Sequence, residues 1–139
     1  MAKVLNFTVI GEPRAKGRHR TTKSGFTYTP KETIQYENLV KVSFYEKYPD
    51  HVPSDKAVKV MINAYYKMPK SFSNKQQELV KIGKLKPLKK PDVDNIAKSI
   101  LDSLNNIAFI DDKQVVSALI TKDYSQQPRV DVQITIEEE

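Results

Sequence analysis

No cysteine occurs anywhere in the 139 residues. That excludes disulfides and thiolate metal sites, and it suits a reducing compartment. Histidine is nearly as scarce: His19 and His51 are the two present, too few and too dispersed for a zinc site. No apolar run approaches the ~20 residues of a membrane span. The opening MAKVLNFTVI lacks the apolar core of a signal peptide. No internal repeat is visible, and no segment is of low complexity. Together these absences describe a soluble intracellular protein with no membrane partner. The length makes one domain, 1–139, able to bury roughly two-thirds of its unfolded surface without covalent staples.

What the chain does have is charge, unevenly spread. The whole carries +6. Residues 92–112 hold Asp92, Asp94, Asp102, Asp111 and Asp112 against Lys98, a net −4, which leaves +10 on the rest. Every acid in this stretch is Asp. Two other stretches are basic. One, 12–23, carries Arg14, Lys16, Arg18, Arg20 and Lys23 against Glu12. The other, 81–90, carries Lys81, Lys84, Lys86, Lys89 and Lys90. Basic flanks around an acidic cluster suit a polyanion handled by a metal ion, although lysine-rich loops are also ordinary solvated surface.

Hydrophobic period divides the chain. VLNFTVIG (4–11) reads as a strand with Leu5, Phe7 and Val9 on one face. Residues 12–25 read as a basic loop, and FTYT (26–29) as a short strand. After Pro30 a helix spans 31–48, with Tyr36, Val40 and Phe44 four apart. A strand over 57–68 alternates Val58, Val60, Ile62 and Ala64. A short helix over 73–83 is capped by Ser73 or Asn74 and ended by Gly83. A further helix covers about 92–105, and strands follow at 114–122 and 129–137. The linker DYSQQP between those strands suits an antiparallel hairpin. The order is that of an α+β domain, a mixed or antiparallel sheet with helices packed on it.

On a helical wheel with Asp94 at 0°, Lys98 falls at about 40° and Asp102 at about 80°. Val93, Ile96, Ala97, Ile100 and Leu104 fall between about 200° and 300° and face the core. Each acid has a bland reading. Asp92 is an N-cap, Asp94 complements the helix dipole, Asp94–Lys98 is an i,i+4 pair, and Asp111–Asp112 sits in a turn. Capping alone does not require two Asp pairs within one supersecondary unit. The chemical reading is a Mg²⁺ site, which takes oxygen ligands and one or two carboxylates. If the chain folds back after the helix, Asp111 or Asp112 completes a site begun by Asp92 and Asp94. Asp102 is about 12 Å from Asp94 along the helix, too far to share one ion, and has a supporting role. Lys98 can neutralise repulsion, orient a ligand or face a scissile phosphate.

The stretch KPDVDNIAKSILDSLN…IDDKQV resembles the signature of the RusA family of Holliday junction resolvases, found in bacteria, their phages and prophages. The matching residues are Asp92, Asp94, Asn95, Lys98, Asp102, Leu104, Asp111, Asp112, Gln114 and Val115, with Lys122 later. FTVIGEPRAKGRHR resembles the family's opening strand and basic loop, and YTPKETIQYE the helix start that follows. Some members carry a basic residue just before the first Asp, where this chain has Pro91. The resemblance implies a cytoplasmic homodimer that cuts four-way DNA junctions by paired nicks, using Mg²⁺ or Mn²⁺ and no organic cofactor. It maps the essential carboxylates onto Asp92, Asp94 and Asp112, with Asp111 beside them as a further metal ligand, and the essential lysine onto Lys98. Asn95 and Asp102 support that set. Arg14, Lys16, Arg18, Arg20, Lys84, Lys86, Lys89 and Lys90 are then expected to contact the DNA backbone. The strands at 57–68 and 114–136 are candidates for the dimer interface as well as for the core. Two other readings remain open: a junction-binding protein that has lost catalysis, and a nuclease of the same fold acting on flaps.

Overall fold

A computed structural model of the chain describes residues 2–17 and 20–137. Its elements run in the order β1 (Ala2–Ile10), β2 (Arg20–Thr21), β3 (Thr27–Tyr28), α1 (Lys31–Lys47), β4 (Val58–Lys67), α2 (Asn74–Lys81), α3 (Val93–Ser103), β5 (Val115–Ser125) and β6 (Arg129–Glu137). A 3-10 turn at Asp112–Gln114 leads into β5. The main sheet has the order β1-β6-β4-β5. β6 is antiparallel to both β1 and β4, and β4 is parallel to β5. This is the α+β arrangement with a mixed sheet that the sequence predicts.

The hairpin expected from DYSQQP does not form. β5 and β6 follow one another in sequence, but β4 lies between them. The reason is burial. β4 buries Val58, Val60, Ile62, Ala64 and Tyr66, and β6 buries Val130, Val132, Ile134 and Ile136. β5 has no fully buried residue. The strands with a continuous apolar face take the middle of the sheet, and the poorer one is left at the edge.

One face of this sheet is covered by α1 and α3. Tyr36, Val40 and Phe44 descend from α1, and Ile96 and Ile100 from α3, onto Leu5, Phe7 and Val9 and the inner residues of β4 and β6. Phe7 and Phe44 meet edge to face at 5.4 Å. The inward face of α3 is turned slightly from the expected one. Ser99 and Ser103 are buried, with the Ser103 hydroxyl donating to the Ser99 carbonyl at 2.7 Å, while Val93 is 47% exposed. Asp94 and Lys98 therefore stand fully outward. α2 begins with a reciprocal cap: Gln76 N donates to Ser73 Oγ at 3.2 Å, and Ser73 N to Gln76 Oε1 at 2.8 Å. It buries nothing, and it leads into the basic loop that ends at Pro91.

Candidate functional site

Asp92 is the N-cap of α3. Its Oδ1 accepts from the Asn95 backbone N–H at 3.4 Å and from Asn95 Nδ2 at 2.7 Å. The bland reading is correct as local structure, and it also fixes the carboxylate. Asp94, in the first turn, is the nearest acidic neighbour of Asp92 and acts on its ionisation. That influence, helped by Asn95 and opposed by partial desolvation, holds the Asp92 carboxyl below the ordinary carboxylate range. Two carboxyls this close repel when both are ionised, so a proton or a cation between them stabilises the pair. Lys98 follows one turn on, exposed on the same face.

The approach to Asp92 is held from the sheet. Buried Tyr66 donates its hydroxyl to the Pro91 carbonyl at 2.7 Å. Burial, then the negative charges of Glu12 and Asp92, push this phenol up to about 12. Lys122 Nζ lies 5.2 Å from the Tyr66 ring centre and donates to the Lys89 carbonyl at 2.6 Å. Lys89 Nζ lies 5.7 Å from the same ring. Tyr66 and Lys122 thus clamp the segment from which Asp92 projects. Tyr66 continues the buried alternation of β4, and sequence reasoning did not single it out. Its polar end is the signal that could have marked it, because a buried phenol needs a hydrogen-bond acceptor.

Among the described residues, no group of three or more His, Cys, Asp or Glu side chains gathers as a metal site. Asp112 instead lies within electrostatic reach of Asp102, near the other end of α3. Burial first, then the charges of Asp111 and Asp102, raise the Asp112 carboxyl above its ordinary range. Asp102 is in turn paired with Lys16 Nζ at 2.5 Å. Asp92 and Asp94 stand at one end of α3 and Asp102, with Asp112 acting on it, toward the other, with Lys98 between them along the helix. The path after α3 brings Asp112 there. Ala108 and Phe109 are buried, the Asn106 backbone turns left-handed at φ 62°, and Ile110 N donates to the Ser54 carbonyl at 3.0 Å. These contacts fasten the segment beside Ser54, past the C-terminal end of α3.

The turn itself is built by Gln114. Its Nε2 donates to the carbonyls of Ser54 at 2.7 Å and Lys56 at 2.8 Å, and its Oε1 accepts from Asp111 N at 2.9 Å. The Asp111 carboxylate is engaged as a cap, accepting from Lys113 N at 3.0 Å. The donor set fits a hard cation. Asp92 and Asp94 offer adjacent carboxylate oxygens, a number suited to Mg²⁺ with water and phosphate in its other positions.

The basic residues divide. Arg14 and Arg20 are exposed, as are Lys84, Lys89 and Lys90. Lys16 is committed to Asp102, and Lys86 pairs with Asp123. Arg18 lies outside the described residues. The chain 14–17 runs along α1. There Gly17 N donates to Thr33 Oγ1 at 2.9 Å, and a Cβ on Gly17 would come within 2.6 Å of that oxygen. Only glycine lets the loop approach so closely.

An exposed acidic helix face, framed by lysine-rich loops on an α+β core, defines a candidate site for phosphodiester chemistry. Comparison with known proteins gives the class its particular identity. The family described as Endodeoxyribonuclease RusA matches residues 10–135, and the chain belongs to that family. An uncharacterized protein of Bacillus subtilis (strain 168), YqaN, is 37% identical over 135 residues, which cover 94% of each chain.

Proposed function

We propose that the chain is a divalent-metal-dependent endodeoxyribonuclease that cuts four-way DNA junctions by paired nicks in recombination and repair, leaving 5′-phosphates and 3′-hydroxyls. The observation that carries this is the Asp92 carboxylate held by Asn95 at the exposed start of α3, with Asp94 two residues on and Lys98 one turn away on the same exposed face, in a chain that is otherwise strongly positive. Asp92 and Asp94 would hold Mg²⁺ or Mn²⁺. When bound, the metal lowers the pKa of a coordinated water and neutralises charge on phosphate oxygens. Asn95 fixes one oxygen of Asp92 by its 2.7 Å bond. Lys98 stabilises charge that develops on the phosphate. Of the later pair, Asp112 is assigned as the reactive carboxylate, with Asp111, fixed by its cap bond to Lys113 N at 3.0 Å, as a further ligand beside it. Asp102 supports Asp112, and DNA lying along α3 meets both carboxylate pairs.

Arg14, Arg20, Lys84, Lys89 and Lys90 carry backbone contacts; Lys16 and Lys86 serve the protein's own acids first. Paired nicks need two sites related by two-fold symmetry, and hence a homodimer. The free edge of β5 supports one. Val116 is 64% and Leu119 54% exposed, and no lysine or proline guards the run 115–121. An enzyme acting on chromosomal or phage DNA works in the cytoplasm, and none of the described helices is long and apolar enough to cross a membrane.

A panel of labelled four-way, flap and linear duplex DNAs tests the reading in Mg²⁺. Symmetric nicking of the junction with little attack on the others is expected. Preference for the flap moves the substrate assignment. Junction binding without cleavage in either metal removes the catalytic one.

A further inference from the structure

Leu88 is 94% exposed, the most exposed large apolar side chain among the described residues. It does not lie on a loose segment. Pro87 and Pro91 on either side are buried. Lys86 is paired with Asp123, the Lys89 carbonyl is held by Lys122 at 2.6 Å, and the Pro91 carbonyl by Tyr66 at 2.7 Å. The loop is therefore fastened at 86, 87, 89 and 91, while the residue between 87 and 89 reaches into solvent. The side chain adds nothing to the core, and the fastening keeps it from folding back onto the surface.

Its surroundings name the surface it fits. Exposed Lys84, Lys89 and Lys90 flank it, and Asp92 lies four residues on. Lysines on both sides suit a polyanion, and an apolar tip between them suits an apolar surface within that polyanion. The flat face of an unstacked base satisfies both. In continuous duplex such faces are covered by their neighbours, and exposing one costs a few kcal/mol. At a branch point the stack is already interrupted.

We propose that Leu88 is a wedge that packs on the base face exposed at a DNA branch point, so that this loop, rather than the carboxylates, distinguishes branched from linear DNA. The inference rests on the reading of the chain as a branched-DNA nuclease and assigns the part that selects the substrate. The lysines hold any DNA; Leu88 adds binding only where a base can receive it.

The test uses the full-length protein in EDTA, with gels verifying that the DNA stays intact. The probe is a four-way junction carrying 2-aminopurine at the branch-point base, with a matched linear duplex. Wild type should raise the fluorescence of the branch-point base and prefer the junction. Leu88→Ala should abolish the rise and lose about tenfold of that preference, the scale of burying one leucine side chain. Its duplex affinity should shift by less than about twofold. Leu88→Met, which keeps an apolar wedge, should restore both. Leu88 touches nothing in the core, so the variants should melt with wild type. Leu88→Ala with wild-type fluorescence and preference overturns the wedge and leaves the functional reading standing. Wild type with no preference for the junction overturns both.

Discussion

Asp112 favours its proton more in the folded chain than in the unfolded one, because burial and the charges of Asp111 and Asp102 oppose ionisation. The stability attached to such a group is complete below the ordinary carboxylate range and is lost as pH rises through the raised value. In EDTA, Asp112→Asn should therefore melt above wild type at pH 7. The gap should close as pH falls below about 4. A lower melting temperature for the variant at pH 7 contradicts the description of this carboxylate pair. Asp92 lies on the opposite side of the same logic, since its carboxyl is held down by Asp94 and Asn95. The two carboxylates assigned to the reaction are thus biased in opposite directions. A group of low proton affinity presents a ready oxygen ligand at neutral pH, and one of raised affinity gains most from a nearby positive charge.

The elements explain why some of this was legible in the sequence and some was not. The outward face of α3 was legible because a 3.6-residue period places Asp94, Lys98 and Asp102 together whatever the rest of the chain does. The approach of Asp112 to the Asp102 end of α3 was not. It depends on where Ala108 and Phe109 find space and on the bond from Ile110 to Ser54, contacts more than fifty residues apart in sequence. The edge position of β5 was hidden for the same reason, since strand order is a competition among all the strands for the covered centre of the sheet. Gln114 stood in the motif without an assigned role, yet it fastens the Asp111–Asp112 turn to the segment before β4 by two donors and one acceptor. Gln114→Ala should cost about 1–3 kcal/mol in urea unfolding, the scale for backbone groups left unpaired, and should slow cleavage. Wild-type stability in that variant contradicts a fastening role.

At the scale of the molecule, positive loops around a local negative cluster divide the work. The loops attract DNA over a Debye length of about 10 Å at 0.1 M salt, and the cluster takes the cation. Binding to any DNA should fall steeply with salt. Lys90→Ala should weaken junction and duplex alike and lower the log–log salt slope by about 1. Lys86→Ala should change the slope less, because Lys86 is committed to Asp123. Titrations at several salt concentrations separate the two variants, and equal losses of slope contradict this division of the lysines.

The most direct test of the central claim is junction cleavage by wild type and Asp92→Asn, side by side in Mg²⁺, with the product ends mapped. Wild type should give paired nicks with 5′-phosphates. Asp92→Asn keeps an N-cap side chain and should fold and bind the junction, yet lose cleavage by at least about a hundredfold. Undiminished cleavage by the variant contradicts the assignment of the α3 N-terminus as the reacting centre.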